Sequence, residues 1–387
     1  MTDNTRIYDP IHGFIEITPL MKQFIDTIEF QRLRNLKQLG VTSYVFTSAT
    51  HTRFEHSIGV SHLAGLMMES IRENNPELNV TDKQIELCRL AGLLHDIGHG
   101  PFSHLFDNHI KPESMLEHEE RGCEIIKKMV DKYKINLEEE DVAEILLMII
   151  PRGIRVTNWK YQIVANKINQ LDVDKLDYIQ RDCFYLDQKY CGEFSRIIKD
   201  AKVFRVDKFQ QICWPLKLQY EIFQLFGSRY RLHKQVYNHY NVKAIEYVVI
   251  DILKEVVKDH KWDNVLGDSI IHLKNDDRIY NRKHPKFVGE FTYLFNKKKR
   301  KIKKIKDYLI KNDILWQEIV IGFGGNKNPL KYVCFYKNNE IVEGTLKFSF
   351  MVPSNYKEFI LRIYSRSGED YEKINTEYKK ILEMYRS

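Results

Sequence analysis

The sequence predicts a mainly α protein, with a long helical body followed by a small C-terminal α+β lobe. Two textures carry that expectation. From about Pro19 to Val257 most segments repeat apolar residues at helical spacing. In DKQIELCRLAGLLHDIG, for example, Ile85, Cys88, Leu90, Leu93 and Leu94 gather near one face, and EYVVIDILKEVVKD repeats the pattern. Beyond a basic run, KKKRKIKKIK at 297–306, the chain turns to short β-rich stretches: QEIVIGF, KYVCFYK, TLKFSFMV and FILRIYS. Turn signals such as GGNKNP and KNNEI part them, and a last helix, EDYEKINTEYKKILEMY, closes the small sheet. The expected division puts 1–312 in the helical domain and 313–387 in the lobe, with a polar connection from about Asp259 to Phe291.

Composition narrows the classes. A chain of 387 residues has ample length for a buried core without staples. Its six cysteines are spread out and form no CxxC pair, so neither a disulfide framework nor a thiolate zinc site is expected. Reduced thiols and a polar start, MTDNTRIYDP, point to the cytoplasm, with the nucleus left open. The apolar run ILLMII at 145–150 is too short to span a bilayer, so no membrane partner is expected. Sixty Lys and Arg against 53 Asp and Glu give +7, a mild excess that favours phosphate-bearing partners. The basic run reads first as a solvated helix face. Nucleic acid is compatible with the charge but not indicated, because the run lacks the aromatic stacking pattern of single-strand binders.

The chemistry concentrates at LLHDIGHGPFSH, residues 93–104. Gly98, Gly100 and Pro101 would stop a helix arriving from Leu87. Adjacent His95 and Asp96 diverge by about 100° on a helix, so both reach one ion only if the helix presents its edge. Three further pieces could join them: HTRFEHSIGV with Arg53 and His56, MLEHEERG with His118, and LDVDKLDYIQRD with Asp172, Asp174, Lys175, Asp177, Tyr178 and Asp182. Taken alone, His56 is an ordinary polar residue of a helix starting near Thr52, and Asp174 and Asp177 are carboxylates favoured by a helix N-terminus. Together these explanations weaken, because charged groups cluster in segments otherwise rich in apolar residues, where an unpaired buried charge is costly. Two His and two Asp around one ion would suit an octahedral divalent cation with water in the open positions, and zinc less well.

These motifs together resemble the HD-domain metal phosphohydrolases. More narrowly, YDPIHGFIEI, IEFQRLRNLKQLG, YVFTSATHTRFEHSIGVSHLAG and SRYRLHKQVYNH resemble the deoxynucleoside triphosphate triphosphohydrolases of the sterile-alpha-motif and HD-domain type. The likeness runs from about Ile7 to Val257 and resumes around GFGGNKNPLKYVCFYK and LRIYSRS. It implies an HD-domain helical bundle in which His56, His95, Asp96 and Asp174 ligate a divalent metal (Mg, Mn or Fe). Arg53, Lys175, Tyr178 and Arg229 would hold the triphosphate. His104, backed by Asp107 and His118, would transfer a proton at the α-phosphate, with His99 beside it. Gln38, Leu39, Asp182 and Tyr237 would line the deoxyribose, and His233 would sit near the phosphates or base. The implied reaction is attack of metal-activated water on the α-phosphorus, giving deoxynucleoside and inorganic triphosphate.

The resemblance also implies a homo-oligomer, dimer or tetramer, activated by GTP or dGTP. Asp26, Gln31 and Arg34 match the guanine-reading positions of the first regulatory site, while Thr5, with Arg6 next to it, replaces an expected lysine. At the second regulatory site Arg196 and Lys217 match, but Asp200, Pro215, Glu221 and Gln235 depart from the family. No room lies before Ile7 for a sterile-alpha-motif module, so its function is expected to be absent. Two rivals stay open: another HD phosphohydrolase acting on a cyclic nucleotide, an alarmone or nucleic-acid ends, and a nucleic-acid-binding scaffold. The first does not explain the QLG and RxRLHxxVYxH segments, and the second is supported only by the +7 charge and the basic run.

Overall fold

The computed structural model describes residues 5–189, 192–259, 267–274, 276–294, 299–323, 327–342 and 355–386. It is mainly α, and contacts divide it into two interleaved compact units rather than at one point near residue 312. The first unit takes its described residues from 5–229, 267–269 and 327–342, the second from 230–259, 270–323 and 355–386.

In chain order the first stretch carries the hairpin β1 (Thr5–Asp9) and β2 (Gly13–Ile17) and the short helices α1 (Pro19–Ile25) and α2 (Ile28–Gln31). Then come α3 (Arg53–Asn74), α4 (Asp82–Leu94), α5 (His104–His109), α6 (His118–Tyr133), α7 (Glu139–Ile149), α8 (Val173–Tyr185) and α9 (Ser195–Lys199). Helix α3 is the centre of this unit and packs against α4 and α8. It starts where Glu55 reaches back to accept the Thr52 N–H at 2.8 Å. Phe54, Ile58, Leu63, Met67, Met68 and Ile71 are buried along it, each contributing about 1.5–3 kcal/mol by leaving water. Helix α4 begins on a reciprocal cap, Thr81 Oγ1 accepting from Gln84 N–H and Gln84 Oε1 accepting from Thr81 N–H. It ends at Leu94, so His95 and Asp96 lie on the turn beyond it rather than along the helix.

The helical reading of Pro19 to Val257 misses a hairpin, β3 (Lys202–Val206) with β4 (Phe209–Pro215). After it follow α10 (Gln219–Leu232), α11 (Tyr240–Asp259), β5 (Lys286–Tyr293), α12 (Lys299–Lys311), β6 (Leu315–Gly322), β7 (Cys334–Lys337), β8 (Glu340–Val342), β9 (Lys357–Ser365) and α13 (Tyr371–Arg386). The expected single C-terminal sheet is two. KYVCFYK supplies β7, which pairs in parallel with β4, Cys213 opposite Cys334, in a first-unit sheet of order β3-β4-β7-β8. The second unit holds the antiparallel sheet β5-β9-β6, whose strand β5 begins inside the stretch expected to be a connection. The TLKFSFMV strand and Cys191 lie outside the described residues.

Helix α12 confirms the modest reading of the basic run: Ile302, Ile305 and Leu309 face a core shared with Phe291, Leu361, Ile363 and Ile381, and the lysines take the other side. Among the described residues five cysteines carry free thiols, and no helix is long and apolar enough to cross a membrane.

Candidate active site

Three segments of the first unit meet at one point: the start of α3, the turn after α4, and the first turns of α8. His56 Nε2 lies 3.2 Å from Asp174 Oδ1 and 3.6 Å from Asp96 Oδ2. His95 Nε2 lies 3.4 Å from Asp96 Oδ1 and 3.6 Å from Asp174 Oδ1. Both Nε2 atoms are buried without a hydrogen-bond partner. The other ring nitrogens are committed, His95 Nδ1 donating to Gly92 O at 2.8 Å and His56 Nδ1 to Asp177 Oδ2 at 2.7 Å. Each ring therefore presents its Nε2 lone pair toward the same carboxylates. Two buried lone pairs and two carboxylates converging is an arrangement that a divalent cation satisfies and a proton satisfies only in part. The residues fit the metal that an HD domain implies. Without it, His56 is held at about 10: burial lowers the pKa, but Asp174, Asp177 and Asp96 raise it further. Burial likewise pushes Asp96 up, yet Arg53, His95 and His99 hold it well below the usual carboxylate range.

Behind His56 stands a layer that sequence reasoning left without a role. Asp177, fully buried, accepts from His56, from His12 Nε2 at 2.7 Å and from Arg181 through Nε and NH2, both at 2.9 Å. Arg181 NH1 also donates to Asp9 Oδ2, whose Oδ1 accepts the Ile11 and His12 N–H groups. The DPIHG turn is thus a brace for α8. The glycine of HSIGV has its reason here too: a Cβ on Gly59 would lie 2.0 Å from Asp177 Oδ1.

His62 stands beside His12, ring centroids 5.5 Å apart. Burial, His12 and Arg89 pull its pKa from 6.5 to about 4. Between those values the unfolded chain binds a proton that the folded chain does not, so stability present above pH 6.5 is lost on acidification toward 4. Moving from pH 7 to 5 should cost about 2 kcal/mol through this group. His62→Gln should flatten that part of the melting-temperature profile, and an unchanged profile would refute the assignment.

A second cluster adjoins the first. His99, His104, Asp107 and His118 place ligand-type atoms within 4.8 Å of one another. A second cation is disfavoured by their orientation: the His99 and His118 rings stack at 4.0 Å and 20°, so their in-plane lone pairs run side by side instead of converging. Arg121 already donates to Asp107 Oδ1 at 2.7 Å. His118 Nδ1 lies 3.2 Å from Asp107 Oδ2, and His104 stands edge-on to both stacked rings. Burial, Arg53 and His118 lower His104 to about 4, so it is neutral at pH 7 and able to take up a proton as negative charge arrives. The loop leading to it is strained, Phe102 and Ser103 both having φ near +55°, at about 1–3 kcal/mol each. Arg53 ties it down, Nε donating to Ser103 Oγ at 2.8 Å while NH1 contacts Asp96.

The remaining expected residues divide. Lys175 Nζ pairs with Asp172 Oδ2 at 3.1 Å, and Arg229 Nε donates to Tyr178 OH at 3.2 Å. Asp172 also caps α8, accepting the Lys175 N–H. Asp182 meets His51 Nε2 at 2.6 Å, a partner the sequence did not single out. Gln38 N–H donates to His51 O, and Leu39 follows it. His233 and Tyr237 belong to the second unit, on a π-helical turn with ring centroids 4.8 Å apart. Asp26 ends α1, Gln31 Nε2 donates to Ile25 O, and Arg34 donates to Gln31 with its guanidinium 3.5 Å over the Phe54 ring.

Comparison with known proteins points to one family. The HD domain family matches residues 53–182, which span both clusters. The deoxynucleoside triphosphate triphosphohydrolase SAMHD1 homolog of Dictyostelium discoideum is 34% identical over 97% of this chain and 80% of its own length. Human deoxynucleoside triphosphate triphosphohydrolase SAMHD1 is 32% identical over 93% of this chain and 70% of its own length. A putative HD domain-containing protein, L394, of Acanthamoeba polyphaga mimivirus is 31% identical over 96% of this chain and 94% of its own length. With an HD domain across both clusters and this similarity along nearly all its length, the chain belongs to the SAMHD1-type family of HD-domain deoxynucleoside triphosphate triphosphohydrolases.

Proposed function

We propose that this protein hydrolyses dNTPs to deoxynucleoside and inorganic triphosphate. The observation that carries the reading is the pair of buried, partnerless Nε2 atoms of His56 and His95 facing Asp96 and Asp174, beside the His99, His104 and His118 cluster. His56, His95, Asp96 and Asp174 would hold a divalent cation, with Mg, Mn or Fe preferred over zinc because of the mixed nitrogen and oxygen donors. When bound, such a cation supplies Lewis acidity and water of lowered pKa. Arg53, Lys175, Tyr178 and Arg229 bind the phosphate chain, Arg as a fork and Lys as a point charge. His99 hydrogen-bonds an α-phosphate oxygen. His104, which takes up a proton as the charge of the triphosphate arrives, delivers it to O5′ as the water oxygen bonds to the α-phosphorus and the bond to O5′ breaks, while the proton lost by the water passes to solvent. His118 and Asp107 orient it. The test is to incubate the pure protein with each dNTP and Mg²⁺ or Mn²⁺, with and without GTP. Inorganic triphosphate as product supports the reading, whereas phosphate or pyrophosphate would overturn it.

Regulation in this reading is simplified. Asp26, Gln31 and Arg34 would read guanine between subunits of a homo-oligomer. At the second regulatory position, Arg196 NH1 pairs with Glu221 Oε1 at 2.5 Å and Lys217 Nζ with Asp200 Oδ2 at 3.1 Å, so carboxylates of the chain occupy the cations a nucleotide's phosphates would need. A ligand stabilises an assembly only by its differential affinity for it. Assembly and initial rates should therefore respond to GTP and be lost in Arg34→Ala, with little dependence on a non-hydrolysable dNTP. Sedimentation with the two nucleotides varied independently checks this, and assembly that requires the dNTP would refute it.

A further inference from the structure

Asp268 opens a 3-10 turn in a stretch the sequence presents only as a polar connection. Its two carboxylate oxygens accept backbone N–H groups from two separate parts of the site. Oδ2 accepts from Lys37 at 2.9 Å and Oδ1 from Phe102 at 2.7 Å. Burial pushes this carboxyl up, opposed by those two N–H groups and by the charges of Lys37 and Arg53. Lys37 immediately precedes Gln38 and Leu39, and its backbone bridges to Thr52 at the start of α3. Phe102 is the first of the two consecutive positive-φ residues that lead into His104.

The strap is built for close approach. A Cβ on Gly267 would lie 2.8 Å from Asn35 Cβ and 2.9 Å from Asn35 O, so only glycine lets this segment lie on the turn before Lys37. The two fastened segments also touch each other, since a Cβ on Gly40 would meet Phe102 O at 3.5 Å. One carboxylate therefore spans the segment carrying Gln38 and Leu39 and the strained loop carrying His104. No other side chain among the described residues is shown accepting from both.

We infer that Asp268 is a positioning residue that sets the spacing between the sugar-lining segment Gln38–Leu39 and the proton-transferring His104, coupling sugar discrimination to turnover. This rests on the dNTP hydrolysis proposed above. A carboxylate is required because it can accept at both oxygens, whereas an amide offers one oxygen and turns an NH2 toward the other N–H.

The experiment compares Asp268→Ala and Asp268→Asn with the wild type. It measures kcat and KM for dATP and ATP, bound Mn²⁺, and hydrogen exchange at the Lys37 and Phe102 amides. In Asp268→Ala, kcat on dATP should fall about 10²-fold, as expected for a misplacement on the ångström scale. The dATP over ATP preference in kcat/KM should fall about tenfold, Mn²⁺ binding should stay at wild-type stoichiometry, and both amides should exchange faster. Asp268→Asn should fall between. A parallel loss of metal and of activity on both nucleotides, with preference unchanged, would mark Asp268 as merely structural and overturn the inference. So would amides that stay protected in Asp268→Ala. A wild type inactive on every dNTP would sink the proposed function instead, and the exchange data would still decide whether Asp268 fastens the two segments.

Discussion

Replacing His95 or Asp96 by alanine is expected to abolish dNTP hydrolysis and to lower bound metal together. His95→Ala removes one of the two partnerless Nε2 lone pairs, leaving His56 and the carboxylates converging on an incomplete site. Asp96→Ala does more, because Asp96 faces both His56 and His95, meets His99 Nε2 at 3.3 Å and holds Arg53. Its loss strands the Arg53 guanidinium, which is also the tether of Ser103. Leaving a buried charge without its partner costs about 3–5 kcal/mol, so Asp96→Ala should melt lower than His95→Ala while both still fold. Turnover on dATP, metal content by mass spectrometry and thermal melts of the same preparations check this. Either variant with wild-type turnover and a full complement of metal would show the ligand assignment to be wrong.

Asp177→Ala should have a large effect on stability and on metal affinity, although Asp177 is not proposed to touch the metal. Its carboxylate holds His12, His56 and Arg181 at once, with no exposure to solvent. Without it Arg181 keeps Asp9 but loses its two bonds to Asp177, and His56 Nδ1 loses the acceptor that fixes the lone pair on Nε2. The expected cost is about 3–5 kcal/mol of stability. Mn²⁺ affinity should fall about 10–100-fold, the usual consequence of removing the group behind a ligating histidine. Calorimetric titration of Mn²⁺ separates this from unfolding. Wild-type affinity in a folded Asp177→Ala would remove Asp177 from any role behind the metal.

Much of the candidate site was legible in the sequence, for a definite reason. His56, His95, Asp96 and Asp174 stand in segments whose neighbours are apolar, and ionisable groups are placed there only if they meet partners. His99, His104, Asp107 and His118 were legible in the same way. Long-range carboxylate contacts had no such signal. That Asp177 serves His56, 121 residues away, and that Asp9 holds Arg181, 172 residues away, follows from α3, α8 and the hairpin lying together. Asp268 carried even less, sitting in a polar stretch with neither periodicity nor motif.

The fold divided along similar lines. Helices α4, α11, α12 and α13 were readable because a 3.6-residue repeat of apolar side chains is a local property. The fate of KYVCFYK was not, because its alternation suits any sheet with a vacant edge. Its parallel pairing with β4 was decided by which edge the returning chain reaches. By itself the sequence determined the helical body, the residue types of a candidate metal centre and the family to which the chain belongs. Tertiary structure alone decided which buried histidine nitrogens lack partners, which carboxylates stand behind the candidate ligands, and that a loop aspartate fastens Lys37 to Phe102. The physical reason is that periodicity and composition act over a few residues, whereas a hydrogen bond is specified only when packing has brought its two ends within about 3 Å.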